Sequence, residues 1–236
     1  MSEWKARRFW KAASVAPEGG GWQILLDGRP IRTPGKLALV MPNRALAEAI
    51  AGEWDAQAEV IDPNAMPLTR AANSAVEKVT PQFAAVADML AGYGGTDLLS
   101  YRASGPAALA ERQAAGWDPL IDWAARALKA PLRITEGVMP VAQDAGALAR
   151  LRDRLDALTP WQLTALHDLV TLPGSLILGL AVLERRLDAD TAHALSRIDE
   201  TFQAEQWGRD DEAETAAAAR LEGMRAAARL LDLLAG

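Results

Sequence analysis

Trp22-Gln23-Ile24-Leu25-Leu26-Asp27-Gly28-Arg29-Pro30-Ile31-Arg32-Thr33 decides how the chain begins to fold. Asp27-Gly28 stands between two short, largely apolar runs, and a dipeptide that tolerates positive φ at both positions closes a two-residue hairpin. Trp22–Leu26 and Arg29–Thr33 are therefore predicted to pair antiparallel. Upstream, Pro17-Glu18-Gly19-Gly20-Gly21 reads as a second hairpin loop, and downstream Pro34-Gly35 marks a further turn. The whole of Arg8 to Met41 has the punctuation of strands, with Leu37 to Met41 as a last one. At Pro42-Asn43 the period changes. Asn43 suits a helix cap, and Leu46, Ala47, Ile50, Ala51 and Trp54 recur at three- and four-residue spacing, which gives a helix with one apolar stripe.

Val60 to Leu68, with Pro63 and Pro67, breaks that helix, since each proline lacks an amide donor and restricts its predecessor. Helical spacing resumes over Thr69–Val79 and Phe83–Leu90. Glycines at 92, 94 and 95 and Ser104-Gly105-Pro106 then interrupt the chain, and a domain boundary is placed there, giving residues 1–103 and 104–236. Beyond it helices are predicted over Ala107–Ala115, Asp118–Ala130, Ala145–Leu158, Pro160–Thr171, Ser175–Leu187, Ala189–Trp207 and Asp211–Leu234. Ser175 to Leu183 is apolar on nearly every side, the mark of a helix enclosed by others. The fold class expected is α+β: a small N-terminal domain containing β-sheet, then an all-α helical bundle.

At 236 residues, half of them hydrophobic, the chain has material for packed cores without covalent staples. Its lack of cysteine removes disulfides, thiol nucleophiles and thiolate metal sites together. A net charge of -6 argues against a polyanionic partner such as nucleic acid. The most apolar stretch, Leu169 to Leu183, is broken by Thr171, Pro173, Gly174 and Ser175 and falls short of the ~20 residues that span a bilayer. No membrane insertion is expected. Basic Lys5, Arg7 and Arg8 are followed by neither an apolar run nor a cleavage site, so no secretory signal is read.

Familiar catalytic patterns are missing. His167 and His193 each lack a second histidine four residues away, as a zinc helix requires, and no metal site is expected. Ser175 lies in Pro-Gly-Ser-Leu-Ile, outside a nucleophile elbow, and reads as a helix cap. Gly19 to Gly21 leads into a strand and not into a helix, unlike a phosphate cradle. Carboxylates such as Glu53 and Asp55, or Asp199 and Glu200, are numerous and read as solvated faces, though paired acid–base chemistry in a cleft between the two parts stays open as an alternative.

One segment asks for more than a packing explanation: Trp207-Gly208-Arg209-Asp210-Asp211-Glu212-Ala213-Glu214. Glycine after a helix is an ordinary stop, and acids suit the first turn of the next helix. The same arrangement also offers an acidic corner beside an aromatic, open to a basic partner surface.

Several segments in order resemble the assembly-chaperone family of the F-type ATP synthase that escorts the alpha subunit of the catalytic head. They are Glu53-Trp54-Asp55-Ala56-Gln57, Met66-Pro67-Leu68-Thr69-Arg70 and Thr96-Asp97-Leu98-Leu99-Ser100-Tyr101-Arg102. Then come Glu111-Arg112-Gln113 with Trp117-Asp118-Pro119, and Ser196-Arg197-Ile198-Asp199-Glu200 running into Gln206-Trp207-Gly208. The resemblance covers nearly the whole chain. It implies a small sheet-containing domain, an orthogonal helical bundle, no cofactor and no catalysis. It also implies a partner, the free alpha subunit, bound over the surface that the beta subunit later covers.

Within that family an acid shortly after the Trp-Gly pair matters for function, and it falls on Asp211 or its neighbour Glu212. The chain departs from members with glutamate at the first position. Partner binding is accordingly assigned to Trp207, Gly208, Asp210, Asp211 and Glu212. The tryptophan of Glu-Trp-Asp, also implied by the resemblance to be important, falls on Trp54, which with Glu53 and Arg70 is expected to serve the fold or the partner. With the sheet domain starting about ten residues from Met1, the expected compartment is the bacterial cytoplasm, the mitochondrial matrix being the alternative. An adaptor for another complex is the remaining competing reading.

Overall fold

In the computed structural model, which describes residues 7–235, Asp27-Gly28 makes the turn that its composition demands, with φ of 48° and 81°. Strands β1 (Ala13–Glu18) and β2 (Gly21–Leu26) pair antiparallel through a Gly19-Gly20 turn of the same positive-φ kind. β3 (Arg29–Pro30) and β4 (Val40–Met41) both pair with β2, completing a four-stranded sheet. The two expected strands here are short. The β2–β3 ladder covers only Arg29 and Pro30, the Ile31 amide adds one more bond to the Ile24 carbonyl at 3.0 Å, and beyond it Arg32 bridges to Ala38.

Helix α1 (Arg44–Asp55) starts as predicted, the Asn43 side-chain Oδ1 accepting from the Leu46 amide at 2.9 Å. Its stripe of Leu46, Ala47, Ile50 and Ala51 is buried, and α1 packs on β1 and β2. The Asn43 amide also donates to the Leu233 carbonyl at 2.7 Å, so one side chain serves two helix ends. α2 (Pro67–Ser74) opens on proline and runs into one π-helical turn, Ala75–Val79.

The remaining helices are α3 (Phe83–Gly92), α4 (Ala107–Ala127), α5 (Ala145–Asp156), α6 (Pro160–Thr171), α7 (Leu176–Leu183), α8 (Ala189–Ser196), α9 (Ile198–Trp207) and α10 (Asp211–Ala235). Contacts divide the chain into two compact units. One comprises Met1–Phe83, Pro160–Thr164 and Arg229–Gly236; the other comprises Ala84–Thr159 and Ala165–Ala228. Beside the expected cut near residue 103, this division groups α3 with the helical unit and returns the end of α10 to the sheet unit. Residues 176–182 of α7 are all buried, and α7 packs against α4 and α8.

Helix boundaries differ from the sequence reading in α7, which ends at Leu183 and not at Leu187, and more markedly at two other places. The expected break at Gly116-Trp117 is absent, and α4 passes through Pro119. A proline inside a helix costs ~3 kcal/mol or more, and here six buried side chains, from Leu109 to Ala124, hold the two halves in line. Conversely, the expected single helix Ala189–Trp207 is split at Arg197, whose amide bonds the Ala194 carbonyl in a tightened last turn while the Ser196 hydroxyl donates to the His193 carbonyl. A parallel pair of two-residue strands, β5 (Tyr101–Arg102) and β6 (Thr135–Glu136), had no sequence signal. Among the described residues no helix is long and apolar enough to cross a membrane.

Candidate functional site

Helix α9 ends at Trp207, where Gly208 adopts φ of 95°, a conformation that favours glycine. Asp210 then begins α10 as its cap, one carboxylate oxygen accepting from the amides of Glu212 (2.8 Å) and Ala213 (3.1 Å). Asp211, Glu212 and Glu214 follow in the first turn, where the helix dipole favours negative charge. Trp207 is 79% exposed. A large aromatic side chain left in water forgoes the burial that drives packing, so the position is not explained by the core.

Beside it lies a cavity of about 310 Å³, lined by Arg197, Glu200, Gln203, Ala204, Trp207 and Gly208 from the α9 side and by Asp210, Ala213, Glu214 and Arg220 from the α10 side. Inside it the Arg197 guanidinium pairs with Glu214 at 3.1 Å. Of the residues assigned from the sequence, Trp207, Gly208 and Asp210 line this cavity, while Asp211 and Glu212 sit next to it in sequence without lining it. The sequence reading missed Arg197, Glu200, Gln203 and Arg220 as lining residues. For the first three the signal was present: 197, 200, 203, 204 and 207 recur at helical spacing, one face leading along α9 to the tryptophan, whereas Arg220 lies on α10.

Glu53, Trp54 and Arg70 lie in the other compact unit. The two carboxylate oxygens of Glu53 accept from the Leu68 amide (2.7 Å), the Thr69 amide (2.8 Å) and the Thr69 hydroxyl (2.7 Å), which ties the end of α1 to the start of α2. Gln57 continues the tie, accepting from the Asp62 amide at 2.7 Å. Glu53→Ala is expected to cost about 1–2 kcal/mol by uncapping α2, with Glu53→Gln between it and the parent, read as urea midpoints at unchanged m. Trp54 is half-buried and edge-on to Trp10 at 5.2 Å, and the indole nitrogens of both are buried without a partner among the described residues. Arg70 is exposed.

Other segments quoted for the resemblance are also joined in space. Gln113 donates to Asp199 at 2.6 Å and accepts from the Ala103 amide, and Arg112 pairs with Glu205 at 2.7 Å. Trp117 donates its indole N–H to the Leu195 carbonyl at 2.9 Å. No cluster of three or more His, Cys, Asp or Glu side chains that could hold a metal ion occurs among the described residues.

The model of the ATP12 chaperone protein family matches residues 7–125, just over half of the chain. The chain belongs to the ATP12 chaperone family. The crystal structure of Atp12 from Paracoccus denitrificans superposes with a TM-score of 0.95 at 68% identity, covering 98% of this chain and 99% of that one. An aspartate-to-lysine mutant of the P. denitrificans protein gives the same TM-score at 67% identity and the same coverage. The mitochondrial protein atp12 of Schizosaccharomyces pombe is 28% identical over 222 residues, which is 86% of this chain and 74% of its own length. Membership accords with the resemblance read from the ordered segments. The α+β architecture of the ATP12 chaperones is likewise the one expected here.

Proposed function

We propose that this ATP12-family chain assists assembly of the F-type ATP synthase by binding the free alpha subunit of the catalytic head and covering the surface that the beta subunit later occupies. The observation that carries the reading is Trp207, held in solvent at the α9–α10 turn beside the carboxylates of Asp210, Asp211 and Glu212. Tryptophan is among the commonest binding hot spots, and flanking acids steer and orient a basic partner surface. The obligate interface of an unassembled subunit resembles a core cut open, and covering it prevents promiscuous association. Bacterial cytoplasm is the compartment proposed, with the mitochondrial matrix as the alternative, the S. pombe relative being named as mitochondrial.

The test is to refold isolated alpha subunit by dilution with and without an equimolar amount of this protein and to follow light scattering. Suppressed scattering and recovery of a complex by pull-down are expected; unchanged scattering refutes the reading. Asp211→Lys and Glu212→Lys should shift the unfolding free energy by only about 0.5–1 kcal/mol, the loss of favourable charge at a helix start. Each should weaken capture of alpha subunit roughly tenfold or more, equivalent to about 1.4 kcal/mol. Collapse of the fold in either variant would mark the corner as structural.

A further inference from the structure

The cavity beside Trp207 has a chemistry of its own. Arginine on an aromatic ring recurs through the chain: Arg8 over Trp10, Arg44 over Trp22, Arg102 over Trp117, Arg112 over Phe202 and Arg186 over Trp123, at 5.2–5.7 Å. Trp207 is exposed and has neither ring nor cation over it among the described residues. The charges around the cavity are also unequally paired. Arg197 is matched by Glu214, whereas Glu200 has no partner among the described residues and Asp210 accepts only backbone amides. Arg220, also on the lining, is the one cation left against those two carboxylates. The cavity volume of about 310 Å³ lies at the foot of the ~300–1,000 Å³ range of small-ligand sites and has room for one long side chain.

We propose that this cavity receives one arginine side chain of the partner protein, its guanidinium stacked on the Trp207 indole and bonded to Glu200 and Asp210. The assignment rests on the reading of the α9–α10 turn as the partner-binding surface and deepens it by naming the group recognised. Arginine fits better than lysine for physical reasons. Its planar, weakly hydrated head stacks on an indole while its N–H fork serves carboxylates in the same plane; an ammonium is a compact, strongly hydrated charge that does one or the other. Asp211 and Glu212, just outside the cavity, add long-range attraction without touching the guest. An anionic guest would find only Arg220 unpaired among the described lining residues, and it would face the carboxylates of Glu200, Asp210 and Glu214 on the same lining.

The experiment titrates N-acetyl-arginine amide into protein labelled with ¹⁵N at the tryptophan indoles, with the Trp207 resonance assigned by its loss in Trp207→Phe. A saturating shift confined to Trp207 is expected at roughly millimolar concentration, the scale of a single side-chain contact. It should weaken with added salt, be smaller for the lysine analogue and vanish for the uncharged citrulline analogue. It should also vanish in Glu200→Gln/Asp210→Asn, which retains a capping side chain at residue 210. No shift with arginine, an equal shift with citrulline, or persistence in the double variant overturns the proposal. Capture of alpha subunit by the same proteins separates the two ideas. If the parent captures alpha subunit and the double variant does so equally well, the arginine pocket is wrong and the partner reading stands. A positive titration without capture overturns the partner reading and leaves the pocket standing.

Discussion

Asp97→Ala should lower the stability of the helical unit by about 3–5 kcal/mol, the cost of removing one member of a buried polar network. Asp97 is fully buried. One carboxylate oxygen accepts from the Leu99 amide (3.1 Å) and the Ser175 hydroxyl (2.7 Å), the other from the Ile177 amide (3.0 Å). Ser175 in turn caps α7, accepting from the Leu178 amide at 3.0 Å. Truncation strands these donors where no water reaches them. Asp97→Asn supplies one acceptor oxygen and turns a donor towards another, so a smaller loss of about 1–3 kcal/mol is expected. Urea unfolding at pH 7 checks both values.

The same residue gives a pH signature. Burial pushes its carboxyl up to about 6, the hydrogen bonds from Ile177, Ser175 and Leu99 pulling partly back. A group whose pKa is higher in the fold than in the open chain contributes stability that is full below the unfolded value of 3.8 and is lost as pH rises through about 6. The stability gap between parent and Asp97→Asn should therefore be widest near pH 4 and narrow towards pH 7. Exposed Asp27, Asp188 and Asp190 act in the opposite sense. Asp27 is lowered by the Ala12 and Lys11 amides, Asp188 by Thr191 and Asp190 by Arg225, and their contributions are lost as pH falls. They are common to both proteins, so the difference isolates Asp97. A gap that widens from pH 4 to pH 7 contradicts this assignment.

Trp117→Ala should cost about 3–5 kcal/mol, the usual range for truncating a fully buried tryptophan. Trp117 heads the largest wholly buried side chains, donates to the Leu195 carbonyl, and carries the Arg102 guanidinium 5.3 Å over its ring. Arg102 is itself 9% exposed and paired with Asp118 at 2.8 Å, so the void would open against a buried cation as well as against helices. The site has little freedom to collapse: a side chain at neighbouring Gly116 would lie 2.8 Å from Ile198 and 2.9 Å from Leu195. Trp117→Phe keeps most of the apolar area and loses the indole hydrogen bond, and should cost clearly less. Thermal and urea unfolding of the pair measure the difference; equal losses would shift the weight to the hydrogen bond.

Much of the candidate site was legible because its signals are local. Glycine after Trp207 and acids in the next turn fix a helix end and a helix start whatever the rest of the chain does. The lining from Arg197 to Trp207 was legible in principle, being one face of one helix. The partnership of those residues with Glu214 and Arg220 was not, because it depends on how α10 folds back beside α9. Glu53 shows the same limit: a carboxylate one residue before a tryptophan reads as solvated surface, and only the approach of Leu68 and Thr69 makes it a cap.

The sequence by itself determined the two hairpin turns, the caps at Asn43 and Ser175, the burial of α7 and the α+β division of the chain. These follow from φ preferences, capping chemistry and hydrophobic period, all set within a few residues. Only the tertiary structure decided that α4 runs unbroken through Pro119, that the chain bends at Arg197, that the end of α10 joins the sheet unit, and that a cavity opens beside Trp207. Each of those turns on packing between segments far apart in the chain, whose burial energy outweighs the ~1–3 kcal/mol of a local preference.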